Sequence, residues 1–307
     1  MSIVLETSPA GLEEREVALR LLYAALTEPE RSEQIATILK EEAEGKLSLE
    51  GLLLARREGS AMGALLATLQ PDGSGLVFPP SVVGGEWQDR VEESLMWTLC
   101  AWLDQKQVRL AQCLLEVEED HCRRLFERYG FRCLAELIYL KRDDGPVPSR
   151  PGRRPQFVTY SPETHERFCR TLQRTYMDTE DCPELSKVRS AEEALAGHRL
   201  AGEFDPRFWC LYAEGGEDFG VLLLTRHPEA GLWELVYLGI VPEFRHHGWG
   251  QELMLGALET VENEGGAAMI LAVDSINNAA RKLYARLGFY ECLQRAAHLR
   301  IHSSPEG

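Results

Sequence analysis

The sequence predicts a mixed α/β chain made of two copies of one fold, and three observations carry that reading. Strand-like apolar runs alternate with stretches whose apolar residues recur at helical spacing. A short pattern occurs twice, about half a chain length apart, as Arg124-Leu125-Phe126-x-x-x-Gly130-Phe131 and as Lys282-Leu283-Tyr284-x-x-x-Gly288-Phe289. Between the copies, residues 144–155 hold four prolines and two glycines, which exclude regular structure and mark a linker. The expected domains are therefore 1–143 and 156–307.

In the first domain, Leu12–Leu26 has helical spacing. Gly51–Ala55 and Ala61–Leu69 read as strands around the turn Arg57-Glu58-Gly59-Ser60, and Gly75–Phe78 as a third. Val91, Leu95, Leu99 and Trp102 mark one helix face. Leu110–Val117 is a further strand, followed by the first copy of the repeat. In the second domain, Phe157–Tyr160 is a short strand and Glu163–Tyr176 a helix. An acidic, irregular stretch runs from Asp178 to Asp205. Phe208–Tyr212 and Phe219–Leu224 are strands around Glu214-Gly215-Gly216-Glu217. Ala267–Val273 is a strand, Asn278–Leu287 a helix and Tyr290–Ile301 a closing strand.

Composition narrows the function classes. The 307 residues are 44% hydrophobic and 27% charged, a globular balance, and no apolar run approaches a membrane span. The first residues lack the basic and apolar regions of a secretory signal. The eight cysteines are scattered without a C-x-x-C pair, which predicts reduced thiols, no zinc site and a cytoplasmic setting. A net charge of −16 repels phosphate backbones and argues against a nucleic-acid partner. It is compatible with a cationic amine as substrate, and equally with solubility alone.

The most informative stretch is Trp233–Val261. Leu235 to Val241 is an apolar run broken by Gly239. The chain then turns through Pro242-Glu243-Phe244 into Arg245-His246-His247-Gly248-Trp249-Gly250-Gln251. Apolar residues next recur at Leu253, Met254, Ala257, Leu258 and Val261. A buried strand, a glycine-bearing turn and an amphipathic helix follow from that pattern. Unpaired N–H groups at such a helix start favour an anion, and Gly248 and Gly250 let one approach the backbone.

Together with Asn277-x-x-Ala280-x-x-Leu283-Tyr284-x-x-x-Gly288-Phe289, the segment Arg245-x-x-Gly248-x-Gly250 resembles the GNAT superfamily of acetyl-CoA-dependent N-acetyltransferases. These motifs cover about the last third of the chain. The resemblance implies two tandem GNAT-like domains, each a mixed, mostly antiparallel sheet flanked by helices. In length and tandem layout the chain is similar to the mycothiol-making branch, with the C-terminal half active. The first copy departs from the pattern: it has Phe126 for Tyr284, Glu119 for Asn277, and no Arg-x-x-Gly-x-Gly in Ser81–Arg90. It is expected to lack chemistry.

The resemblance also implies roles. Arg245, His246, His247, Gly248, Trp249, Gly250 and Gln251 would hold the pyrophosphate of acetyl-CoA, and Asn277 the pantetheine arm. Leu238, Gly239 and Ile240 would act through the backbone of a splayed strand, with the Leu238 N–H as oxyanion donor. Trp249 would pack. Glu234, eleven residues before Arg245, would be the general base, its pKa raised by an apolar strand; otherwise it is a strand-end carboxylate facing solvent. Tyr284 would be the general acid toward the departing sulfur; otherwise it is a core aromatic. The acceptor would lie over Tyr176–Pro206, with Asp178, Glu180, Asp181, Glu184, Glu203 and Asp205, unless these form a solvated face. The expected activity is acetyl transfer to a small-molecule amine by direct attack, without a metal. The competing reading is a non-catalytic acyl-CoA-binding or regulatory protein.

Overall fold

The computed structural model describes residues 5–149, 154–185 and 189–302, so parts of the expected linker and of the acidic stretch lie outside the described residues. The chain forms two compact units, residues 1–133 with 296–307, and residues 134–295.

The first unit contains β1 (Leu5–Pro9), α1 (Arg15–Leu22), α2 (Glu30–Ala43), β2 (Leu52–Arg57), β3 (Ser60–Leu69), β4 (Gly75–Val77), β5 (Ser81–Val82), α3 (Gln88–Gln105), β6 (Leu110–Leu115) and α4 (Asp120–Arg128). Its sheet runs β1-β2-β3-β4-β6, and Ala296–Ile301 adds antiparallel to β6. Strands β4 and β6 pair in parallel, while β5 pairs with β3 antiparallel. Register in the β2–β3 hairpin is set by its turn. Glu58 and Gly59 both have positive φ, which suits the right-handed twist of the strands. Ala18, Leu19, Ile35 and Ile38 belong to one apolar cluster with β2 and β3. Val91, Leu95, Leu99 and Phe126 belong to another.

The second unit takes β7 (Arg132–Asp143) from Leu134 onward. It adds β8 (Gln156–Thr159), α5 (His165–Thr175), α6 (Ala191–His198), β9 (Trp209–Glu214), β10 (Glu217–His227), β11 (Leu232–Ile240), α7 (Trp249–Asn263), β12 (Ala268–Asp274), α8 (Asn278–Arg286) and the start of β13 (Tyr290–Ile301). The order β8-β9-β10-β11-β12-β7 repeats that of the first unit, with β11–β12 as the parallel pair. Phe168, Leu172, Ala194 and Leu195 form a cluster with one set of sheet residues. Leu253, Met254, Leu258 and Leu287 form a second cluster with another set.

The fold class is that expected from the sequence, but the boundaries differ. Residues 134–143, read as the end of the first domain, pair with β12 in the second unit. Residues 296–301, read as the end of the second domain, complete the first unit. Each sheet is closed by a strand from the other half of the chain. Among the described residues, two helices, α2 and α6, escaped the sequence reading. In α2 the apolar positions Ile35, Ile38 and Leu39 stand among charged neighbours, and α6 lies within the stretch read as irregular.

Candidate active site

Strand β11 organises the site. It pairs with β12 only at Trp233↔Met269, Glu234↔Ile270 and Leu235↔Leu271, and beyond Leu235 the two strands part. On its other edge β11 stays paired with β10 as far as Ile240, across a bulge at Leu223/Leu224. The Val241 N–H donates to the Phe219 carbonyl in β10 at 2.9 Å. Backbone groups alternate along a strand, so the Leu238 and Ile240 N–H groups face the gap. Arg245 Nε meets the Ile240 carbonyl there at 2.9 Å.

The gap opens into a cavity of about 260 Å³. Leu238, Gly239 and Ile240 line it, opposite Ala272 and Val273. Asn277, just before α8, and Ala280 and Tyr284 on α8 contribute, as do Tyr176, Asp178, Thr179, Glu180 and Asp181 from the segment after α5. Gly239 is required by close approach. A Cβ there would lie 2.6 Å from Tyr237 Oη and 2.7 Å from Thr175 Oγ1, two atoms that are themselves hydrogen-bonded at 2.6 Å. Tyr284 is buried and packs on Phe289 at 5.8 Å between ring centroids. Burial, and secondarily the charge of Asp181, push its phenol well above the ordinary tyrosine range, so it stays protonated and able to donate.

The turn after β11 leaves donors exposed. His246 has φ +63°, and Gly248, the residue preceding α7, has φ +83°. Gln251 and Glu252 donate their N–H groups to the Gly248 carbonyl. Among the described residues, the N–H groups of His246, His247, Gly248 and Gly250 have no partner within the chain. This is the helix-start arrangement that favours a phosphate.

Residues 168–289 match the acetyltransferase (GNAT) family model. The second unit contains a GNAT acetyltransferase domain. Over 86 residues the chain is 37% identical to a mycothiol acetyltransferase of Streptomyces coelicolor, 28% of each chain. Over 185 residues it is 28% identical to that of Kocuria rhizophila, 56% of this chain and 59% of the relative. The chain thus spans between a quarter and three fifths of these relatives' lengths. A GCN5-related N-acetyltransferase from Sphaerobacter thermophilus shares the fold, with a TM-score of 0.64 at 18% identity over 97% of this chain and 95% of that one. A tandem GNAT protein from the clavulanic acid biosynthesis pathway gives 0.54 at 14% identity, over 99% of this chain and 100% of that one.

Within the GNAT domain several expected residues hold other posts. Arg245 directs its donors to backbone carbonyls. Its guanidinium donates to the carbonyls of Ile240, Thr175, Met177 and Asp178 at 2.8–3.0 Å, and so latches the C-terminal end of α5 to the end of β11. The Trp249 indole packs as expected, buried 4.8 Å from the Phe219 ring. The Gln251 N–H is used by the first turn of α7, so the free amides end at Gly250. Asn277 lines the cavity, but its side-chain oxygen caps α8 by accepting the Ala280 N–H at 3.1 Å.

Glu234 lies on β11 four residues before Leu238. Its carboxylate is a quarter exposed and paired with His227 Nε2 at 2.7 Å. It is not among the described residues that line the cavity. The apolar enclosure expected from the sequence is thus replaced by a histidine partner. Tyr139 on β7 stands near it, its phenol raised first by burial and then by the Glu234 charge.

The acidic stretch divides. Asp178, Glu180 and Asp181 line the cavity. Glu203 and Asp205 instead pair with Arg226 and Arg207. Asp181, one of the six carboxylates read from the sequence, also ties this segment to β12. Its oxygen accepts the Asp274 N–H at 3.0 Å, and desolvation together with the neighbouring Asp274 charge raises its pKa. No spacing rule links 181 to 274, so the pairing has no local signal.

Proposed function

We propose that the GNAT domain transfers the acetyl group of acetyl-CoA to a primary amine of a small molecule by direct attack. The observation that carries this is the open edge of β11. The gap-facing amides of Leu238 and Ile240 line one cavity with the protonated Tyr284, beside the free amides of His246, His247, Gly248 and Gly250. Pyrophosphate binds those amides. The thioester lies along β11, where the Leu238 N–H takes the charge that develops on the carbonyl oxygen. Tyr284 donates its proton to the departing sulfur. Glu234, oriented by His227, takes the amine's proton through a water, because it stands back from the cavity lining.

The acceptor is a cationic amine drawn by Asp178, Glu180 and Asp181 at the cavity. The first unit carries no transfer chemistry and supports the fold. Among the described residues no helix is long and apolar enough to cross a membrane. The test is a panel of small amines incubated with acetyl-CoA, with release of the free thiol as readout. Turnover with at least one amine, lost in Tyr284→Phe and Glu234→Gln, is expected. Binding of acetyl-CoA without turnover of any amine would favour a non-catalytic acyl-CoA-binding protein.

A further inference from the structure

One cluster of ligating side chains lies apart from the cavity. His165 and Cys169 stand one turn apart on α5, and Glu192 reaches them from α6. The Cys169 Sγ lies 3.6 Å from His165 Nε2 and 3.2 Å from Glu192 Oε1, and Nε2 lies 2.9–3.0 Å from the two carboxylate oxygens. In a tetrahedral zinc site, ligand bonds of about 2.0–2.3 Å place such atoms roughly 3.3–3.6 Å apart. The cluster therefore needs only a few tenths of an ångström of opening to surround a cation.

We propose that His165, Cys169 and Glu192 form a binding site for a borderline divalent cation such as zinc, with solvent in the fourth position. Imidazole, thiolate and carboxylate together suit such an ion. The outer shell is also in place. Tyr160 Oη stands 2.7 Å from His165 Nδ1, and with Nδ1–H donating to that oxygen the Nε2 lone pair faces the other two ligands. Without a cation the Cys169 thiol donates to Glu192 Oε1 at 3.2 Å. Binding releases the Sγ proton to solvent and leaves thiolate and carboxylate to balance the dication. Arg199, whose guanidinium lies 4.7 Å from the Tyr160 ring centroid, opposes the cation by its charge, and Glu166 assists it. The ion ties α5 to α6, the two helices between which the cavity-lining segment 176–181 runs. The site does not depend on the reading of the acetyl-transfer chemistry.

The experiment is titration of the chelator-treated full-length protein with cobalt(II), reading the near-ultraviolet sulfur-to-metal charge-transfer band, which requires a bound thiolate. One equivalent of cobalt per chain should develop the band, and zinc should displace it. Cys169→Ser should abolish it. Glu192→Gln, a change at an exposed side chain, should keep the fold and weaken cobalt binding at least about tenfold. Cys292→Ser, at an exposed thiol, should leave the band unchanged. A wild-type protein that gives no band overturns the proposal. So does a band that survives Cys169→Ser, follows Cys292, or keeps full affinity in Glu192→Gln.

Discussion

Where the second unit runs Leu238-Gly239-Ile240 past the end of a short parallel ladder, the first runs Phe78-Pro79-Pro80. The topology at the two places is the same: β4 beside β6, and β11 beside β12. The donors are not. Proline has no N–H, and the Phe78 N–H is already given to the Leu66 carbonyl at 2.8 Å. The repeat helices differ in the same sense. Phe126 meets Phe131 at 5.1 Å much as Tyr284 meets Phe289 at 5.8 Å, but Phe126 is fully buried and has no hydroxyl. Aromatic packing recurs in both copies, while the phenol of Tyr284 and the Gly248 turn stand in the second. Fold and chemistry separate because a core needs shape and a reaction needs specific polar atoms.

The harshest way to break the comparison is to spoil the turn that the first unit lacks. Gly248→Asp forces a side chain onto a φ of +83° and sets a negative charge among the free amides. Calorimetry should show acetyl-CoA binding lost with the circular dichroism spectrum kept. Unchanged affinity would remove residues 246–250 from the cofactor site.

Next in size is Glu234→Gln, which should lower kcat/KM by about 10²–10⁴. Raising the pH should recover part of that loss, because more of the amine is then neutral without help. A wild-type pH profile in this variant would move the base to Asp181, which lines the cavity.

An exchange of hydroxyls sharpens the contrast between the repeats. Tyr284→Phe should lower kcat with acetyl-CoA affinity unchanged, since the phenol acts as the thiolate departs. Phe126→Tyr should bring no turnover in a Glu234→Gln background. It should lower stability by about 1–3 kcal/mol in chemical denaturation, because it buries a hydroxyl without a partner. Turnover rescued by Phe126→Tyr would show that the first unit keeps a working site. A fragment ending at residue 143 is a poor test of this, since it lacks the edge strand Ala296–Ile301.

The smallest effect on turnover is expected at α6. In the first unit α2 contributes Ile35 and Ile38 to its core, whereas α6 ends in His198, 5.6 Å from the Tyr237 ring. Burial, and then the charge of Arg189, push that imidazole down to about 3. The folded state therefore refuses a proton that the unfolded chain takes up below about 6.5. Stability from this group is complete above pH 6.5 and falls as the pH drops from there toward 3. Thermal melts of His198→Gln should show a shallower acid slope than wild type. An identical slope would mean that His198 is protonated in the fold.

Much of the site was legible because its signals are short-range. The strand, glycine turn and helix of Trp233–Val261 are written in neighbouring residues. The carbonyl contacts of Arg245 were not legible: its type suggests an anion, while its four carbonyl partners, three of them from residues 175–178, are set by packing. Helix α6 was hidden by charge: Glu192 and Glu193 lie at its first turn, where Glu193 completes a capping box with Ser190.

The sequence by itself determined the two-copy plan, most elements of each copy, and which copy has Tyr284 and the Gly248 turn. These are statements about residue type and period, and each is settled within one or two turns of chain. The tertiary structure decided which strand closes which sheet, that Glu234 stands back against His227 while Asp181 enters the cavity, and that His165, Cys169 and Glu192 meet. Those contacts join residues far apart in sequence or on separate elements, where register and helix packing fix distance and no local spacing encodes it.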